Sequence, residues 1–190
     1  MLVCLPPRRL RHLRNIMSPT TMQRLVSAFV LSRLDYCNSI LAGLPAVTLK
    51  LLQRVMNAAV RLVAGFCWRD HITPEMRDMH WLPIVYRIKY KLCILKMHAA
   101  ASNNSPKYIN EILVRNSSLQ ERAKLRSLTS GGYVVPRSKT EFCKRAFDVA
   151  GPTAWNELPP ELRHIPEIHT FNRALKTHLV GAAYDNYVFN

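Results

Sequence analysis

The stretch "SPTTMQRLVSAFVLSRLDYCNSILAGLPAVTLKLLQRVMNAAVRLVAG", residues 18–65, reads as two helices joined by a turn, and it sets the fold class. Ser18-Pro19 has the chemistry of an N-cap followed by a first helical residue: the hydroxyl can accept an orphan amide, and proline lacks an N–H that would go unused there. Met22, Leu25, Val26, Phe29 and Val30 then recur with a period near 3.6, which predicts a helix continuing through Leu34 to about Leu41. Gly43 and Pro45 end it. A second helix is predicted from about Thr48 to Val63, stopped by Gly65, with Leu49, Leu52, Val55 or Met56, Ala59 and Leu62 buried. Its other side carries Lys50, Arg54, Asn57 and Arg61 at i, i+4, i+7 and i+11, one continuous and mostly basic edge.

Outward from this pair, "PPRRLRHLRNIM" forms a basic lead-in over residues 1–17. Downstream, Thr73-Pro74 predicts another helix start, with Glu75 and Asp78 in its first turn. Pro83 opens a longer helix, "IVYRIKYKLCILKMHAAA", with Ile84, Ile88, Leu92 and Leu95 inward and Arg87 and Lys91 sharing an outer face. Residues 102–132 are polar and turn-rich with one short helix around Tyr108 to Val114, and they mark a domain boundary. Beyond them lie a short strand, "YVVP", an aromatic cluster of Phe142, Phe147 and Trp155 with Leu158, and a final helix with Phe171, Leu175 and Leu179 inward. The expectation is a mainly α protein. A helical bundle at 18–101 is followed, after the polar linker, by a small mixed and mostly helical C-terminal segment at 133–190.

Charge is the compositional outlier. Twenty-seven Lys and Arg oppose twelve Asp and Glu, a net +15 with pI near 10.1. Such an excess concentrates polyanions at the surface, so nucleic acid is the first expected partner and an acidic membrane surface the second. No apolar run approaches the roughly 20 residues of a spanning helix. The opening "MLVCLPPRRLRHLRN" puts its arginines after a very short apolar stretch, the reverse of a secretory signal. Five cysteines at 4, 37, 67, 93 and 143 are scattered without C-x-x-C spacing, so neither a zinc ribbon nor a disulfide framework is expected, and a reducing, intracellular setting fits.

Asp35 beside Tyr36 invites comparison with polymerase carboxylates. Two-metal phosphoryl transfer needs two or three acids converging on cations roughly 3.5–4 Å apart. No two acidic residues are adjacent anywhere in this chain. Asp35 is therefore expected on a helix surface, pairing with a neighbour such as Arg33 or capping a turn. Asp70, His71, Glu75, Asp78 and His80 lie close in sequence, but without H-E-x-x-H their expected role is at a helix start rather than on a metal. There is no G-x-S-x-G, no Walker loop and no dinucleotide fingerprint, so no catalytic residue and no cofactor is expected. Cys37 and Cys67 are expected as buried thiols. Trp68, Trp81 and Trp155 are expected in packing rather than in base stacking.

The order of these pieces is specific. "RLDYCNS", "LQRVMNAAVRL" and "WNELP", set within "HLRNIMSPTTMQRLVSAFVLSRLDYCNSILAGLP", "RDHITPEMRDMHWLPIVYRIKYKLCILKMH" and "FNRALKTHL", resemble the C-terminal portion of reverse transcriptases of non-LTR (LINE-type) retrotransposons, nearest to the jockey, CR1 and L2-like groups. The resemblance covers nearly the whole chain. It implies that the helices at 19–41 and 48–64 are thumb helices, which in related polymerases grip the template–primer duplex. Lys50, Arg54 and Arg61 would then face a nucleic-acid backbone, with Arg87 and Lys91 beside them, and a reverse-transcriptase palm would be the natural protein neighbour. The family's paired-aspartate palm motif and its endonuclease are absent from these 190 residues, and so is the cysteine–histidine knuckle of some relatives. What the resemblance implies is a grip without the chemistry.

Overall fold

Ser18 caps α1 (Pro19–Val26) as the sequence predicts: its Oγ accepts from the Thr21 N–H at 3.3 Å, and Pro19 is the first helical residue. The computed structural model describes residues 10, 12–101, 107–114, 116 and 131–185. Among them the protein is mainly α, and Tyr133 makes an isolated β-bridge. The described residues fall into two compact units. One draws on Met1–Asn38, Leu44–Arg87 and Val180–Asn190, the other on Ser39–Gly43 and Ile88–Leu179. These divisions run through the long helix rather than along the composition change at 102–132, of which the described residues are 107–114, 116, 131 and 132.

In the first unit α1 does not run on to Leu41. It widens into a π turn at Ser27–Leu31, tightens into the four-residue α2 (Ser32–Asp35), and stops where Cys37 takes a left-handed φ of 52°. The extra residue of the π turn shifts the buried stripe: Met22, Val26, Val30, Leu31 and Leu34 point inward, while Phe29, expected inside, is half exposed. Helix α3 (Ala46–Ala64) packs on α1 and buries Met56, Ala59, Val60, Leu62 and Val63; Leu49, Leu52 and Val55, nearer its start, are half-buried. Gly65 ends it at φ 84°, the left-handed C-cap that only glycine adopts without strain. Helix α4 (Thr73–Asp78) comes next and buries Met76. The far end of the chain returns to this unit, where Tyr184 Oη donates to Trp81 O and Tyr86 Oη to Ala182 O at 3.0 Å.

Helix α5 (Ile84–Ala101) begins in the first unit and continues in the second. Ile84, Ile88, Leu92 and Lys96 follow an i, i+4 row that drifts by about 40° per step, and Cys93 and Met97 join the buried side. That drift leaves Leu95, expected inside, 39% exposed. The rest of the second unit comprises α6 (Lys107–Ile112), α7 (Phe147–Asn156), α8 (Pro160–Arg163) and α9 (Ile168–Tyr184) up to Leu179. The predicted strand at "YVVP" reduces to two backbone bonds, Asn116 N to Gly132 O at 3.2 Å and Val134 N to Val114 O at 2.9 Å. Asn156 holds Tyr133 as a neighbouring strand would, accepting from its N–H at 2.9 Å and donating to its carbonyl at 2.8 Å.

The core of this unit is aromatic. Trp155 stacks on Phe171 at 5.3 Å and meets Tyr133 edge to face at 6.3 Å. Lys96, 1% exposed, places its Nζ 3.1 Å from the Trp155 ring centre and 3.4 Å from that of Tyr133. Phe142, expected in the cluster, is 78% exposed, and Phe147 is half-buried against Gly151.

Candidate nucleic-acid interface

The basic edge of α3 is divided by the structure. Lys50 and Arg54 are exposed and no carboxylate pairs with them among the described residues. Arg61, two turns further along, is half-buried and turns back: its Nε donates to Cys67 O at 3.2 Å, tying the loop after Gly65 to the helix end. Asn57 faces inward enough to accept from Gln53 Nε2 at 2.8 Å, and Gln53 Oε1 in turn caps α5 by accepting from the Ile84 N–H at 2.9 Å.

Arg87 leaves the expected set. Its Nε donates to Asp35 Oδ1 at 2.7 Å and its Nη2 to Asp35 Oδ2, a bidentate pair in which the arginine side chain is only 16% exposed. A guanidinium already spent on a carboxylate has little left for a phosphate. The same contact answers the question raised by Asp35, whose partner is Arg87, 52 residues away, rather than Arg33. Asn38 Nδ2 adds a longer bond to Asp35 Oδ1 at 3.4 Å. Lys91 is half-buried and belongs to the second unit.

The acidic and histidine residues near α4 have local duties. Asp70 Oδ2 accepts from the Cys67 N–H at 2.5 Å, and His80, at φ 56°, donates through Nδ1 to Arg77 O at 2.9 Å. Among the described residues no three His, Cys, Asp or Glu side chains come together as metal ligands would. The cysteines depart from expectation: Cys37 and Cys67 are exposed. Cys93 is the buried one, its Sγ 3.7 Å from Ala154 O, and burial pushes its pKa up to about 12.

Sequence reasoning missed Trp68. Trp81 and Trp155 are 6% and 3% exposed, as expected for packing residues, but Trp68 is 76% exposed, with the Arg69 guanidinium 5.0 Å from its ring centre. The signal was present: a C-cap glycine at 65 turns the chain out into a surface loop, and "WRD" sets a cation and a turn-forming aspartate beside the indole. No protein-family model, curated protein or solved structure matches this chain. No helix among the described residues is long and apolar enough to cross a membrane.

Proposed function

We propose that this chain holds nucleic acid by its phosphate backbone, without sequence preference, as the thumb-like and catalytically incomplete part of a LINE-type reverse transcriptase. The observation that carries the proposal is the exposed, carboxylate-free pair Lys50 and Arg54 on α3, on a chain of net charge +15. Lysines and arginines without a base-reading motif position a duplex rather than read it. The resemblance of "RLDYCNS", "LQRVMNAAVRL" and "WNELP" to that family supports the same role. Polymerisation is not part of the proposal, because the nearest candidate acid, Asp35, is committed to Arg87 and has no acidic neighbour in sequence.

The test is a salt titration. With Arg87 and Arg61 each held by the fold, Lys50 and Arg54 on α3 and Arg14 and Arg69 near its end are exposed in the first unit, and engaging about four phosphates gives a log K against log salt slope of roughly −3 to −4. A flat response by fluorescence anisotropy would sink the proposal. A second reading has its own observation: Val47 and Leu51 on the same helix are 73% and 58% exposed. They favour a protein-docking face, such as one for a reverse-transcriptase palm. Association at rising concentration in sedimentation, with no nucleic-acid binding, would select that reading.

A further inference from the structure

The loop after α3 holds an exposed indole in place by three bonds that converge on Cys67, with the Arg69 guanidinium over its ring. Asp70 Oδ2 accepts from Cys67 N–H at 2.5 Å, Cys67 O accepts from Asp70 N–H at 3.3 Å, and the same carbonyl accepts from Arg61 Nε at 3.2 Å. Next to this loop, the Arg14 guanidinium lies against Gly65, in the place where a Cβ at position 65 would stand. Glycine is favoured there by its φ of 84°, and the guanidinium, the far end of a flexible side chain, fills the space that a Cβ would take. Arg69 lies over one face of Trp68 at 5.0 Å. The outcome is an exposed aromatic plane on a braced loop, with Arg14, Arg61 and Arg69 gathered around the end of one helix.

We propose that Trp68, backed by Arg69, is a stacking platform for an unpaired nucleobase, with Arg14 at a flanking phosphate. The inference rests on the backbone-binding reading above and deepens it: the chain takes a duplex that continues into a single strand. Charge complementarity selects the occupant. The one carboxylate in the loop, Asp70, is turned onto the Cys67 amide, which leaves a cationic surround suited to a polyanion. A base is the polyanion's only flat apolar part, and stacking tolerates any base because each has a π face. A cation behind the indole strengthens such a stack.

The 190-residue chain is titrated, at one salt concentration, with a blunt duplex, the same duplex carrying an unpaired tail, and the same duplex carrying an abasic tail of equal phosphate count. The tailed duplex is expected to bind about tenfold tighter than the abasic-tailed one. Intrinsic fluorescence should be quenched only by the tail that carries bases, since the other two tryptophans are 6% and 3% exposed. Trp68→Ala should erase the difference and leave blunt-duplex binding unchanged, while Trp68→Phe should keep part of it. Equal binding of all three ligands, or a tail preference that survives Trp68→Ala, overturns the platform and leaves the backbone reading standing. No binding to any of them overturns both. Binding of the tailed duplex without quenching would likewise overturn the platform alone, since the indole would then be away from the base.

Discussion

Two tryptophans in this molecule carry a cation on their rings, and they do opposite things with it. In the second unit Lys96 sits 3.1 Å from the centre of Trp155, and lysine and indole are both almost wholly buried. In the first, Arg69 lies 5.0 Å over Trp68 and the indole stays 76% exposed. The pairing is the same but the surroundings differ. Trp155 is further engaged by Phe171, by Tyr133 and by a bond from its Nε1 to Gly131 O at 3.1 Å, so every side of it is spent on the fold. Trp68 keeps a face free. The contrast extends to two of the quoted segments. In "WNELP", Trp155 fills the core, Asn156 clamps Tyr133, Glu157 pairs with Lys89 at 2.6 Å and Leu158 is buried. In "RLDYCNS", Leu34 and Asn38 are buried and Asp35 holds Arg87. The residues of these two segments build the scaffold, whereas Lys50, Arg54 and Trp68 lie outside them.

The contrast breaks most visibly at Trp155. Trp155→Ala removes a stacked, edge-packed and hydrogen-bonded ring and should destabilise the chain by about 3–5 kcal/mol in urea unfolding. A loss as small as that of a surface substitution would mean that the buried cage carries no more of the fold than the exposed one. Cys93 sharpens the point through pH. Burial raises its folded pKa from 9.0 to about 12, and burial raises Tyr90 in the same direction. Above about pH 9 the unfolded chain releases the thiol proton while the folded one keeps it, so unfolding releases protons and stability falls with pH up to about 12. Below that range this thiol contributes its full share. In the folded protein iodoacetamide should label Cys37, Cys67 and Cys143 and spare Cys93, as peptide mapping would read out.

A smaller effect is expected at the ion pair. Asp35→Ala leaves a mostly buried Arg87 without its acceptor and should cost about 2 kcal/mol, less than a fully buried pair because the Asp35 side chain is 40% exposed. A double-mutant cycle with Arg87→Ala should return a coupling of about 1 kcal/mol or more. Zero coupling would make "RLDYCNS" a surface decoration rather than part of the scaffold.

Helix placement was legible because caps and periodicity are local. Ser18-Pro19, Gly65, Pro83 and the Phe171–Leu175–Leu179 stripe all stand where their chemistry places them. What escaped depended on partners distant in sequence. The π turn at Ser27–Leu31 leaves no mark in a 3.6-residue pattern, yet it turns Phe29 outward and shortens the first helix. Arg87 reads as an outer-face cation until Asp35 is brought to it across 52 residues. The burial of Lys96 depends on Trp155 and Tyr133 closing over it, and nothing within one turn of α5 announces an aromatic cage. Of the expected contact residues Lys50 and Arg54 remain available on α3, and Trp68 and Arg69 join the candidates because a loop's exposure comes from tertiary placement, not from composition.

The smallest effect on stability is expected at the open tryptophan, and there a near-zero value is informative. Trp68→Ala should change unfolding free energy by no more than about 0.5 kcal/mol, because an indole 76% exposed has little packing to lose. Lys50→Ala with Arg54→Ala should be just as silent in urea, yet should lower the salt slope for duplex binding by about 2, one for each phosphate contact removed. Silence in unfolding together with a loss in binding is what separates a contact residue from a scaffold residue. If Trp68→Ala instead costs as much as Trp155→Ala, the indole is packed in solution, and the two tryptophans differ in depth rather than in kind.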